Sequence, residues 1–278
     1  RDRVWVASPR PPQITLAAAA IAGVDGFLAV GGAQAIAALA YGVGGPPPSD
    51  VVVGPGNRWV TAAKKVVSGH VGIDMLAGPS ELVVLADDSA EPGTIAADLI
   101  AQAEHDPDAL PVLVTTDASL VDAVDAELDL QLADLPTRGN ARAAMDNGFA
   151  VITHTLEEAI ETCDRLAPEH LQILTSDETA VAEKVQHYGG LFIGSASAEV
   201  LGDYGAGPNH TLPTGGVARY KGGLSVLDFL RIRTSLHMDD GEEARSLARD
   251  AAALARLEGL EGHARAAERR IAMVPSDQ

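Results

Sequence analysis

The stretch Gly26-Phe27-Leu28-Ala29-Val30-Gly31-Gly32-Ala33-Gln34 joins a short apolar run directly to an alanine-rich one. An apolar run bounded by glycines suits a strand covered on both faces, and the residues over 33–41 are helix formers. A strand that passes through glycines straight into a helix is half of a parallel crossover unit. The same alternation recurs on either side. Upstream, Val4-Trp5-Val6-Ala7 reads as a strand, the Pro-rich residues 8–12 break regular structure, and a helix is predicted over 14–22. Downstream, a strand over 51–53 leads through Gly54-Pro55-Gly56-Asn57 to a helix over 59–67.

A turn-rich segment over 72–81 separates this series from a second one of the same kind. Strands are predicted over 82–86, 111–115, 149–153, 171–174 and 191–193, and helices over 92–105, 117–133, 156–166 and 178–187. In the helix over 117–133, Leu120, Val124 and Leu128 recur at four-residue spacing, so its acidic residues form a solvated face. Regular structure stops over 202–216, a glycine- and proline-rich stretch of a length that compact domains reserve for function. The remainder, from Asp240 to Ile271, reads as a pair of helices with a break near Gly259 or Gly262. The fold class expected is α/β, with parallel-sheet units over 1–79 and 80–218 and a helical extension over 219–278.

Composition narrows the function. The chain has 278 residues, 46% hydrophobic and 21% charged, with a mean hydropathy of +0.09, which describes a globular protein large enough for about two packed domains. A formal charge of −19 argues against a nucleic-acid partner, because phosphate binding relies on clustered Lys and Arg. No apolar run is long enough to span a membrane, and no export signal is visible at the start. The only cysteine, Cys163, excludes an intrachain disulfide and fits a reducing compartment, with the cytoplasm the default. Because the sequence opens at Arg1 with a strand almost at once, it is expected to begin partway through a larger protein.

Several stretches could carry chemistry. Gln102 and His105 are three residues apart in a predicted helix, which puts two metal-capable side chains on one face; solvated surface is the commoner outcome of such a pair. Pro168-Glu169-His170-Leu171 sets a carboxylate beside an imidazole just before an apolar strand, a pair suited to general base and proton relay at the mouth of a parallel sheet, or else a polar turn. Asp203 and His210 lie in the irregular segment and could add a carboxylate and an imidazole. His263, among many charges on a terminal helix, reads as solvated. Gly54-Pro55-Gly56-Asn57 and Gly31-Gly32-Ala33-Gln34 each join a strand to a helix start, where free N–H groups suit a phosphate, yet neither has the spacing of a dinucleotide fingerprint.

Taken together, these stretches resemble the histidinol dehydrogenase family: Val-Gly-Gly-Ala-Gln-Ala-Ile-Ala-Ala-Leu-Ala from Val30, Gly-Pro-Gly-Asn at 54–57, Ile-Asp-Met-Leu-Ala-Gly-Pro-Ser-Glu from Ile73, Asp-Leu-Ile-Ala-Gln-Ala-Glu-His at 98–105, Pro-Glu-His-Leu at 168–171 and Gly-Pro-Asn-His-Thr-Leu-Pro-Thr from Gly207. The resemblance implies two Rossmann-like units, the first on the NAD side and the second carrying the zinc and catalytic residues. It implies the four-electron oxidation of L-histidinol to L-histidine with two NAD, the last steps of histidine biosynthesis. By the same resemblance Gln102, His105, Asp203 and His263 are the zinc ligands, and Glu169 and His170 the acid–base pair. Ser80, His210 and Glu258 are expected to hold the substrate together with His170 and the zinc ligands, and Gln34 and Asn57 to contact NAD. An intertwined homodimer is implied, in which Glu258 and His263 complete the neighbouring subunit's site. Family members also carry a portion ahead of the point matching Arg1, which supplies part of one sheet and a tyrosine that contacts NAD; the second sheet is therefore expected to be incomplete on its N-terminal side. A zinc hydrolase, or a fragment that only binds zinc and dimerises, are the competing readings.

Overall fold

The computed structural model describes residues 3–239 and 241–273, so Arg1 and Asp240 lie outside the described residues. The chain divides into two compact units, Arg1–Leu230 and Arg231–Gln278. Among the described residues all the strands are in the first, and all of their pairings are parallel.

The first unit opens with β1 (Trp5–Ala7), α1 (Gln13–Ile21), β2 (Gly26–Leu28), α2 (Gly32–Tyr41), β3 (Val51–Val52), α3 (Arg58–Val67) and β4 (Gly72–Ile73). These short strands form two separate two-stranded ladders, β1 with β2 and β3 with β4. Ile36, Leu39 and Ala40 of α2 bury against Val52, Val67 and Val71, with Trp5 and Ala7 packed at the margin, so one small apolar core serves both ladders. β4 lies in the stretch expected to be a crossover; glycine-rich and two residues long, it has no periodicity to betray it.

The larger sheet comprises β5 (Glu81–Ala86), β6 (Leu110–Thr115), β7 (Phe149–Ile152), β8 (His170–Leu174) and β9 (Gly190–Ile193), in the order β7-β6-β5-β8-β9. Its connections are α4 (Pro92–Ala103), α5 (Ala118–Ala133), α6 (Arg138–Met145), α7 (Leu156–Leu166) and α8 (Glu178–Ala182). The pleat sorts side chains to two faces. Val83, Leu85, Val112, Val114, Leu171 and Ile173 pack on Ile160 and Cys163 of α7 and on Val181 of α8. Leu82, Val84, Ala86 and Leu113 pack on Ile95, Ala96 and Leu99 of α4 and on Leu120 and Val124 of α5. Covered on both faces, the strands read as the near-continuous apolar runs seen in the sequence.

Four of the five loops that leave the carboxyl edge of this sheet end on a side-chain oxygen that caps the next helix. Glu91 accepts from Gly93 N and Thr94 N, Asp117 from Ser119 N, Thr155 from Glu158 N and Asp177 from Ala180 N. Some helix boundaries depart from expectation. α4 stops at Ala103, before His105, because Asp106 precedes Pro107 and is pushed out of helical geometry. α8 stops at Ala182 rather than running to 187, because the amides of Gln186 and His187 are captured by Asp164 Oδ1 at 2.8 and 3.0 Å. α6 goes unanticipated, its buried face consisting of Ala141 and Ala144 alone.

The second unit is a helical hairpin, α10 (Glu242–Leu257) and α11 (Glu261–Met273), turned at Gly259 with φ +75°. Ala252, Ala255 and Ala264 form its seam, and Arg256 bridges Glu261 and Glu268 at 3.1 and 2.7 Å. Among the described residues no helix is long and apolar enough to cross a membrane.

Candidate active site

β5 and β8 are neighbours in register, with Leu82 opposite His170, so the residues that open the two strands meet at the amino edge of the sheet. This edge is opposite to the one where open α/β sheets usually bind ligands. α4 explains the choice: a crossover helix returns antiparallel to its strand, and its C-terminal turn therefore arrives at the amino edge. That turn carries Gln102, with Asp98 one turn earlier on the same face.

Glu81, Glu169 and His170 are bound together through backbone and side chain. Glu81 N donates to Glu169 Oε2 at 3.0 Å, and Glu169 N donates to Glu81 Oε2 at 3.3 Å. His170 Nδ1 lies 3.0 Å from the Glu81 carbonyl oxygen, which makes Nδ1 the protonated nitrogen and leaves Nε2 with a free lone pair. Glu81 Oε1 accepts from Gly215 N at 2.8 Å, tying the end of the irregular segment to the pair. On the other side Nε2 stands 3.4 Å from Oε1 of Glu199, a carboxylate only 2% exposed. Gly189 is required here: a Cβ would meet the Glu169 carbonyl oxygen at 2.6 Å, against a backbone pinned by Gly189 N to Pro168 O and Gly190 N to Glu169 O at 2.9 and 2.8 Å.

Burial moves the titrating groups toward their neutral forms. It pushes the Glu169 carboxyl up to about 8, opposed by the Glu81 N–H and reinforced by the Glu81 carboxylate. It pulls the His170 imidazole down to about 4. Glu199 is raised to about 7 by burial and by Asp203 and Asp98, and Asp98 itself to about 6, again chiefly by burial.

The residues expected from the sequence fall into separate groups. Ser80, Glu169 and His170 share the amino edge, and Ser80 is among the groups that lower the Glu169 carboxyl. His105, past the end of α4, places Nε2 4.0 Å from Asp203 Oδ2, Asp203 closing the short helix α9 (Val200–Asp203). Gln102 is completely buried, and neither its Oε1 nor its Nε2 has a hydrogen-bond partner; Asp98 Oδ2, the Gln172 amide and Glu199 Oε1 share that condition. His210 is exposed in the segment after α9. Gln34 is exposed on the first turn of α2, while Asn57 caps α3, its Oδ1 accepting from Trp59 N and Val60 N at 3.1 and 3.2 Å, so its amide N–H groups are what remains for a ligand. Glu258 and His263 are exposed residues of the second unit.

The donor set in the first unit is an imidazole nitrogen, a carboxylate and a buried amide oxygen with no partner, a set that suits zinc. Among the described residues no three His, Cys, Asp or Glu gather as a metal centre, so zinc would need the Gln102 amide and a donor from elsewhere.

Sequence reasoning assigned no role to Glu81, Asp98, Gln172 or Glu199. Asp98 was reachable as the residue one turn before Gln102, and Gln172 as the residue two along the strand from His170, on the same face. Glu199 precedes a four-residue helix and offers no such pattern.

A parallel α/β sheet with a buried carboxylate–imidazole pair beside unpartnered polar side chains defines an α/β protein with a preformed acid–base site. The family model described as histidinol dehydrogenase matches residues 2–271, and the chain belongs to that family of oxidoreductases. It is 53% identical over 270 residues to histidinol dehydrogenase of Thermus thermophilus, covering 97% of this chain and 65% of that protein. The enzyme of Geobacillus kaustophilus is 48% identical over 275 residues, again with 97% and 65% covered. The crystal structure of histidinol dehydrogenase from Elizabethkingia anophelis superposes with a TM-score of 0.84 at 34% identity, covering 93% of this chain and 60% of that one. The chain thus spans somewhat less than two thirds of the length of these relatives.

Proposed function

We propose that the chain oxidises L-histidinol to L-histidine with two NAD, through an aldehyde retained in the site. The observation that carries this reading is the His170–Glu169 pair: adjacent, buried, held by the same strand and displaced in opposite directions from ordinary values. At neutral pH the imidazole is unprotonated with Nε2 open, the state a base needs to take the alcohol proton while a hydride leaves the carbinol carbon for the nicotinamide. The product is an aldehyde, one NADH and one proton. Glu169 then serves the second half. In its ionised form it takes a proton from water as the oxygen adds to the aldehyde, and the hydrate gives its hydride to a second NAD, leaving the carboxylate.

Zinc fits the donor set, and Gln102, His105 and Asp203 would hold it with His263 of a second copy. When bound, zinc supplies charge and a template for the imidazole and amine of the substrate, with no redox role. In this reading Ser80, His210 and Glu258 orient the substrate and Gln34 and Asn57 contact NAD. In this reading the shared site calls for a homodimer as the working species, and a biosynthetic substrate together with a single thiol favours the cytoplasm for it.

The test is NADH formed per histidinol added to zinc-loaded protein, with a chelator control. Two NADH per histidinol, lost with the chelator, is the expected result. Tight binding of histidinol with no NADH at all would instead leave a zinc-binding scaffold.

A further inference from the structure

Glu81 opens β5 beside the pair and touches both of its members, yet the reading above gives it no task. Its carbonyl oxygen is 3.0 Å from His170 Nδ1, its N–H holds Glu169 Oε2 at 3.0 Å, and its carboxylate accepts from Glu169 N at 3.3 Å and Gly215 N at 2.8 Å. These contacts exceed what a strand end requires. An ordinary first residue of a parallel strand spends its backbone on neighbouring strands, whereas Glu81 spends its own on two side chains.

We propose that Glu81 is the positioning residue of this site: its backbone aims the His170 ring and the Glu169 carboxylate, and its side chain sets a second negative charge against Glu169. The inference rests on the acid–base reading of Glu169 and His170 and adds to it how the two are held and tuned.

The groups facing Glu169 are few. His170 Nδ1 lies 3.8 Å from Glu169 Oε2, the Ser80 hydroxyl adjoins it, and Glu199 faces it from the segment before α9. Glu81 alone among them also binds the Glu169 main chain. Arg165 of α7 and Arg219 line a cavity together with Glu81, Gly215 and Gly216. Two buried carboxylates side by side resist ionising together, so the charge of Glu81 keeps the proton on Glu169 to higher pH. Burial raises both carboxyls, and at Glu169 the Glu81 charge adds to that rise.

The experiment is a carbon-13 carboxyl titration of the 278-residue chain, wild type against Glu81→Gln and Glu81→Asp, with the pH profile of NADH formation measured alongside. Glu81→Gln removes the charge and should lower the Glu169 midpoint by roughly half a pH unit or more, moving the matching limb of the rate profile with it. Glu81→Asp keeps the charge on a shorter arm. It should leave the midpoint near wild type and cut kcat about tenfold with little change in KM, because the arm no longer reaches both Gly215 and the Glu169 main chain. An unmoved Glu169 midpoint in folded Glu81→Gln overturns the proposal, as does a Glu81→Asp protein equal to wild type in every measure. Should Glu81→Gln not fold, Glu81→Asp decides alone. A wild-type chain that makes no NADH overturns the proposed activity of this chain, while the titration still judges Glu81 by itself.

Discussion

Lys64 and Asp74 meet inside the N-terminal part of the first unit, Nζ to Oδ1 at 2.5 Å, with side chains 3% and 0% exposed. Between them they hold both polar atoms of one residue: Gly54 N donates to Asp74 Oδ2 at 2.7 Å, and Gly54 O accepts from Lys64 Nζ at 2.6 Å. Gly54, at φ +115°, opens the turn that ends on Asn57. The pair therefore sets the path of the turn where a cofactor contact is expected. A buried pair is weak evidence for net stability, but breaking one strands a charge in a dry interior.

Asp74→Asn should accordingly cost about 3–5 kcal/mol in urea denaturation. The double variant Lys64→Met/Asp74→Asn should recover part of that loss, since no charge is then left unpaired. Strict additivity of the two single substitutions would contradict the clamp.

Gly189→Ala tests how tightly the Glu169 backbone is set. Its Cβ has no room beside the Glu169 carbonyl oxygen, 2.6 Å away, so either Glu169 or the start of β9 must shift. A misplacement near 1 Å costs on the order of 100-fold in rate. The expected outcome is a large loss of kcat with a modest fall in melting temperature; near-normal turnover would mean the site tolerates that shift.

Glu169→Gln separates the two oxidations. In the proposed mechanism the first relies on His170 and the second on the carboxylate, so oxidation of the alcohol should survive better than oxidation of the aldehyde. Stopped-flow traces with each substrate would show it. Equal losses would refute the division of roles.

The stability of the unloaded chain should carry an unusual pH signature. Glu169 holds its proton up to about 8 in the folded chain, so the folded state binds more protons than the unfolded one from the ordinary carboxyl range upward, and stability is lost as pH rises toward 8. His170 acts oppositely and lower, adding stability as pH climbs from about 4 through the ordinary imidazole range. Glu199 and Asp98, raised to about 7 and about 6, act in the same direction as Glu169, so melting temperature is expected to peak at mildly acidic pH and fall from there to pH about 8, and Glu169→Gln should flatten the fall, most completely above pH about 7. An unchanged slope in that variant would place the titration elsewhere.

Cys163 offers a simpler check. Burial raises its thiol to about 12, and from α7 it packs into the core against the sheet. A thiol reagent should therefore find nothing to modify until the chain unfolds.

The large sheet was legible because its strands are apolar on both faces and its helices open on Asp, Thr and Pro, signals that local sequence carries. The short ladders were not, since Val51–Val52 and Gly72–Ile73 are too brief to show a period. Gln102 and Glu169 stood out as polar residues in apolar or motif-rich surroundings. Asp98, Gln172 and Glu199 did not, because what makes them notable is burial without partners, a property of the packed interior. The capping role of the Asn57 oxygen was also out of reach, as the same residue type serves caps and ligands alike.

The orientation of α4 decides where this protein can change length. The residues of the first unit proposed for the acid–base chemistry gather on the edge served by 104–109, 167–169 and 183–189, while the loops 87–91, 116–117, 153–155 and 175–177 leave from the opposite edge. Insertions in the second set need disturb only a helix cap. A single residue added within α4 ahead of Gln102 would swing it about 100° around the helix and out of register with His170. Variation in loop length should therefore collect on one rim of the sheet, leaving the other rim fixed in size.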